Sequence, residues 1–148
     1  MLTSIPPERA TVRKMHELLL DLFRREMDFR RAEHRDYKEW EFDYNELIYW
    51  CGLLLYLVGD PADAPLMWNA KRIDFDIGCC FDLQFLVGAG VDETLKYLED
   101  LGENETADYI KTCRSSGDFA DLPRWERFRI HYFYPHITFP ENDTAHSQ

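Results

Sequence analysis

No apolar run in this chain is long enough for a membrane. The longest, Leu53-Leu54-Leu55-Tyr56-Leu57-Val58, falls far short of the ~20 residues a spanning helix needs, so it is expected in a core and no membrane partner is expected. The N-terminal stretch Met1-Leu2-Thr3-Ser4-Ile5-Pro6-Pro7-Glu8-Arg9 lacks the charged-then-apolar order and the small-residue cleavage site of a secretory signal, which points to a cytoplasmic location. Catalytic signatures are missing as well. None of the five histidines, His16, His34, His131, His136 and His146, falls in His-Glu-x-x-His or accompanies Gly-x-Ser-x-Gly. There is no phosphate-cradling Gly-x-x-x-x-Gly-Lys loop and no dinucleotide fingerprint. The expectation is a protein that is not an enzyme and takes no cofactor, with an unrecognised active site as the remaining alternative.

Strand signals are equally scarce. Period-two alternation never persists beyond a few residues, and no Asn-Gly or Asp-Gly hairpin turn occurs. The four cysteines, Cys51, Cys79, Cys80 and Cys113, fit neither a disulfide framework nor a zinc spacing, so reduced, structural thiols are expected. Adjacent Cys79 and Cys80 could join only by distorting the backbone. The stretch from Asp74 through Asp76, Cys79 and Cys80 to Asp82 has no histidine nearby to complete a metal set. Its expected roles are local: Asp76 as a helix cap, and Lys71 or Arg72 paired with Asp74 or Asp82.

What the chain does have is apolar and aromatic bulk. Its 148 residues are 45% hydrophobic, with ten Phe, eight Tyr and four Trp, enough for one domain with a real core. Val12, Met15, Leu19, Leu22, Phe23 and Met27 carry helical spacing and predict a first helix over residues 8–34. A second, over 43–58 with Asp43 or Asn45 as cap and Gly59 as stop, is apolar nearly all round and is expected at the centre. Shorter helices follow over 63–72 with Asp63 as cap, 77–87 with Asp76 as cap and Gly88-Ala89-Gly90 as stop, 92–101 with Asp92 as cap, 103–113, and 119–133. In the helix over 92–101, Leu95, Leu98 and Leu101 supply the apolar spacing. The fold class is all-α: a single domain over 1–148, an irregular bundle of about six or seven helices, with stacked HEAT-like hairpins as the lesser alternative because no repeat period is found. Residues 1–6 and 135–148 are expected to be extended or partly disordered.

Charge is distributed unevenly. Acids against bases number 6 to 7 over residues 1–34, 17 to 5 over 35–108 and 5 to 5 over 109–148, so the whole net charge of −11 arises in the middle. One acidic group, Asp36, Glu39, Asp43 and Glu46, falls at spacings of three and four, with Trp40 and Tyr44 as aromatic anchors. A second comprises Asp92, Glu93, Glu99, Asp100, Glu103, Glu105 and Asp108 against the single base Lys96. Glu99 and Asp100 fall near a helix C-terminus, where negative charge is mildly unfavourable, so partner recognition competes with plain solvation as their explanation. The candidate binding residues are Asp36, Glu39, Trp40, Asp43, Glu46, Glu99, Asp100, Glu103 and Glu105. Basic clusters are confined to Arg24-Arg25, Arg30-Arg31 and the Arg124–Arg129 segment, so direct binding of nucleic acid is not expected.

The segments Gly59-Asp60-Pro61-Ala62-Asp63-Ala64-Pro65-Leu66-Met67-Trp68-Asn69-Ala70-Lys71, Phe75-Asp76 and Leu86-Val87-Gly88-Ala89-Gly90-Val91-Asp92-Glu93-Thr94 resemble small bacterial all-helical proteins associated with toxin-immunity loci. The likeness covers about a quarter of the chain, and its motifs are helix boundaries and packing residues. It implies a cytoplasmic immunity protein that neutralises a toxin delivered by a neighbouring cell, and it carries over no binding residues. Combined with the charge, it makes a basic protein toxin, a nuclease for preference, the expected partner, with a non-catalytic helical scaffold as the rival. The oligomeric state is not legible.

Overall fold

A computed structural model describes residues 4–33 and 46–137. Among them are eight α-helices and no strand: α1 (Arg9–Lys14), α2 (His16–Glu33), α3 (Leu47–Val58), α4 (Ala64–Lys71), α5 (Phe75–Cys80), α6 (Val91–Leu101), α7 (Asn104–Ser115) and α8 (Leu122–Phe133), with 3₁₀ turns at Pro61–Asp63 and Leu83–Val87. The all-α reading holds.

The central position expected for the apolar helix is observed. From Cys51 to Val58 every residue of α3 is buried, and the helix is packed by α1, α2, α8 and the 83–87 turn. Val12, Leu19, Phe23 and Met27 are the buried stripe that α1 and α2 contribute. Each large apolar side chain enclosed this way stabilises the fold by roughly 1.5–3 kcal/mol. The helix ends at Gly59, whose φ of 74° lies in the left-handed region that only glycine enters cheaply.

Aromatic side chains fix the direction of α8. Trp50 stacks on Phe133 with ring centres 5.3 Å apart, and Tyr56 meets Trp125 edge-on at 5.0 Å, so α8 runs antiparallel to α3. Asp82 locks it there, its Oδ2 accepting from Trp125 Nε1 at 2.9 Å and from Arg129 Nε at 2.6 Å. At the far edge of the core, Tyr134 accepts from Trp50 Nε1 at 2.9 Å and donates to the Ile5 carbonyl at 2.8 Å. Tyr134 and Ile5 are both buried, although the sequence placed them in or beside extended ends.

Several helix boundaries differ from expectation. The helix over 8–34 is interrupted at Met15, whose N–H reaches only to Val12 O, one residue nearer than an α-helix requires. No Pro or Gly lies there. The offset is tertiary: Arg13 Nε donates to Val58 O at 3.2 Å and His16 turns toward Asp63. Asp63 therefore caps nothing; Asp60 caps the 3₁₀ turn by accepting from Ala62 N–H at 2.9 Å. The helix over 77–87 is two pieces, because Phe81 leaves helical geometry (ψ 104°) and the chain re-enters as a 3₁₀ turn at Leu83. Its cap is Asp74, accepting from Ile77 N–H at 2.8 Å, and not Asp76. Gly90, not Asp92, precedes α6 at its cap position. The last helix starts at Leu122, where Asp121 accepts from Arg124 N–H at 3.1 Å. The proposed caps Asp43 and Asn45 lie outside the described residues.

Candidate functional site

Of the nine residues put forward from sequence, Asp36, Glu39, Trp40 and Asp43 lie outside the described residues, as does Tyr44. Glu46 is exposed just before α3, and its carboxylate accepts a hydrogen bond from the Tyr132 hydroxyl of α8. The other four, Glu99, Asp100, Glu103 and Glu105, fall within seven positions of one another at the tip of the α6–α7 hairpin, and all are exposed.

Backbone geometry fixes this tip. Gly102 has φ 81°, its N–H bonds Glu99 O at 3.1 Å, and the Glu103 N–H bonds Leu98 O at 2.8 Å, which together make a Schellman motif. Two carbonyls at the end of α6 are thereby satisfied, and the turn into α7 is set without any side chain. Leu95 and Leu98 face the core, but Leu101, expected to follow them inward, is 55% exposed. Three residues at spacing three sweep round the helix by about 60° per pair relative to its axis, and the third passes off the buried face. An apolar side chain thus stands amid the acidic ones.

Charge pairing at the hairpin is partial. Glu99 pairs with Lys111 at 2.8 Å and Asp92 with Arg114 at 2.9 Å, both joining α6 to α7, while Glu105 pairs with Arg72, the residue that follows α4, at 3.0 Å. The Glu99 carboxylate raises the pKa of the Lys111 ammonium above its ordinary value, chiefly through that hydrogen bond. Among the described residues Asp100 and Glu103 make no ion pair. Lys111 offsets Glu99 near the negative end of the α6 dipole; Asp100 has no such offset. Arg72 lies over the Trp68 ring, 5.4 Å from its centre, and Trp68 meets Tyr109 at 4.7 Å. Desolvation pushes the Tyr109 hydroxyl up to about 12. The arrangement can present anions and one apolar contact on a rigid turn.

Sequence reasoning missed the His16 cluster. Its Nε2 lies 2.7 Å from Asp63 Oδ2 and its Nδ1 3.9 Å from Asp60 Oδ2. These three residues, with donor atoms within 4.8 Å of one another, are the group among the described residues able to hold a metal ion. The 2.7 Å contact is that of a hydrogen bond, shorter than the ~3.3 Å between two ligands on one tetrahedral ion. With a carboxylate at each ring nitrogen, the imidazole is placed to join α2 to the 61–63 turn. The only sequence signal was a histidine forty-seven positions from its partner, and spacing arguments do not reach that far.

Lys71 and Arg72 also found other partners than Asp74 or Asp82. Lys71 Nζ donates to Gly78 O at 2.7 Å and Phe81 O at 2.6 Å, Arg72 goes to Glu105, and Asp82 goes to Arg129. Cys51 and Cys113 are buried, as structural thiols should be; Cys79 and Cys80 are exposed. A cavity of about 370 Å³, lined by Ser4, Pro7, Glu8, Ile130, Tyr134 and His136 among others, opens beside the Tyr134–Ile5 contact.

Comparison with protein-family models, with curated proteins and with solved structures finds no match.

Proposed function

We propose that this protein binds a basic protein partner through the tip of the α6–α7 hairpin and acts by occlusion, as an immunity protein does against a toxin, a nuclease for preference. The observation that carries the reading is the exposed Leu101 on a Schellman turn, flanked by Asp100 and Glu103, which make no ion pair among the described residues, and by Glu99 and Glu105, each paired with one base. An apolar contact ringed by charge is the pattern in which the centre supplies binding energy and the rim supplies steering and register. An enzyme that grips phosphate needs a cationic cleft, and a carboxylate-bearing turn that enters it denies the substrate access without any chemistry. Opposite charge would speed capture toward about 10⁸ M⁻¹s⁻¹ at low salt.

The test is reversal of Asp100 and Glu103 to lysine, together with Leu101→Ser, in a binding assay against the product of the adjacent reading frame. Capture should fall at least about tenfold for the charge pair and its salt dependence should flatten, with helical content by circular dichroism unchanged. Undiminished capture would leave the hairpin a solvated surface. A non-catalytic scaffold is favoured by a different observation, the exposed rings of Phe128 and Tyr132 one turn apart on α8; binding that ignores salt and is lost on Phe128→Ala would select it.

A further inference from the structure

The adjacent thiols of Cys79 and Cys80 are the feature that the hairpin reading leaves unused. Both are exposed, whereas Cys51 and Cys113 are buried, and burial pushes the Cys51 thiol up to about 12. The pair closes α5: Cys80 is its last helical residue and Phe81 departs in extended geometry. Lys71 brackets the two, its ammonium bonded to the carbonyl of the residue before Cys79 and to that of the residue after Cys80. A positive charge is therefore clamped to the backbone on both sides of the thiols. The Tyr49 hydroxyl contacts the Cys80 sulfur from α3, and Phe75, one turn before Cys79, is 83% exposed.

This arrangement is wrong for a disulfide between the two. Consecutive Cα atoms stand about 3.8 Å apart, below the ~4.4–6.8 Å that a relaxed disulfide spans. A single atom inserted between the sulfurs eases that strain, because the ring closed over adjacent Cα atoms gains a member and needs less backbone distortion than one closed by an S–S bond of ~2.05 Å. We propose that Cys79 and Cys80 form a two-thiol capture site for a soft thiophilic centre of the trivalent arsenic class. Two S–H bonds and two As–OH bonds break, two As–S bonds form, two waters leave, and arsenic remains trivalent throughout. The thiolate is the species that attacks. Soft thiolate pairs prefer such centres to hard cations, and the nearby carboxylates do not compete.

The full chain is treated at neutral pH with phenylarsine oxide and examined by intact mass and by thiol titration. One arsenical per chain should bind with loss of two titratable thiols, resist a monothiol and be released by 1,2-ethanedithiol. Cys79→Ser and Cys80→Ser should each abolish the monothiol-resistant adduct, while Cys51→Ser and Cys113→Ser retain it. Cys79→Ala and Cys80→Ala repeat the test should a serine variant lose helicity. Absence of a one-to-one adduct on the folded chain, its survival when either exposed cysteine is replaced, or its loss when a buried one is replaced, would each overturn the site.

Discussion

His16 shows how much a single side chain can carry. Burial raises the Asp63 carboxyl above its ordinary value of 3.8, and the His16 hydrogen bond draws it back. A carboxyl raised in the fold favours the folded state most below its unfolded pKa, and that advantage disappears as the pH rises through the folded value. His16 counters the penalty of the ionised form, so its removal should be felt where Asp63 is charged. His16→Ala is expected to lose about 2 kcal/mol near neutral pH, and much less as the pH falls toward about 4. Urea unfolding of both proteins across that range checks the sign. A loss that stayed constant with pH would mean that packing, not the carboxylate, explains the residue.

At the scale of elements, Gly88 was legible only in part. The Gly88-Ala89-Gly90 run marked the end of a helical stretch, and the 3₁₀ turn Leu83–Val87 does end there. What no sequence reading could supply is the neighbour: a Cβ on Gly88 would lie 2.2 Å from Tyr56 O and 2.8 Å from Tyr56 Cα. The turn and α3 meet backbone to backbone. Gly88→Ala is therefore expected to destabilise by about 3 kcal/mol, since neither backbone can yield cheaply; a thermal or urea denaturation series checks it, with Gly90→Ala, which has open space but φ 95°, expected to cost only about 1 kcal/mol. The helices themselves were legible because their apolar spacing is local. Their exact caps were not: Asp74 and Asp76, or Asp60 and Asp63, are equivalent on paper, and only the fold decides which carboxylate reaches an amide. The acidic hairpin was readable as composition for the same reason, but its partial neutralisation by Lys111, Arg114 and Arg72 depends on helices being brought side by side.

For the molecule as a whole, the Tyr134 hydroxyl is the point where the two flanks of the described chain meet over α3. Tyr134→Phe removes its bonds to Ile5 O and Trp50 Nε1 while preserving the ring, and is expected to cost about 1–2 kcal/mol. Amide hydrogen exchange should show faster opening at both flanks together, with the middle of α3 still the slowest region; faster exchange at one flank alone would refute the shared contact.

That contact joins positions separated by 129 residues, and distance along the chain becomes time during synthesis. A ribosome adds roughly 5–20 residues per second, so Ile5 waits for the 129 positions up to Tyr134 to be made before its carbonyl meets the phenol. Until then the Trp50 edge of the central helix has no lid, and a nascent chain would depend on chaperones, or on speed, to keep that surface from other company.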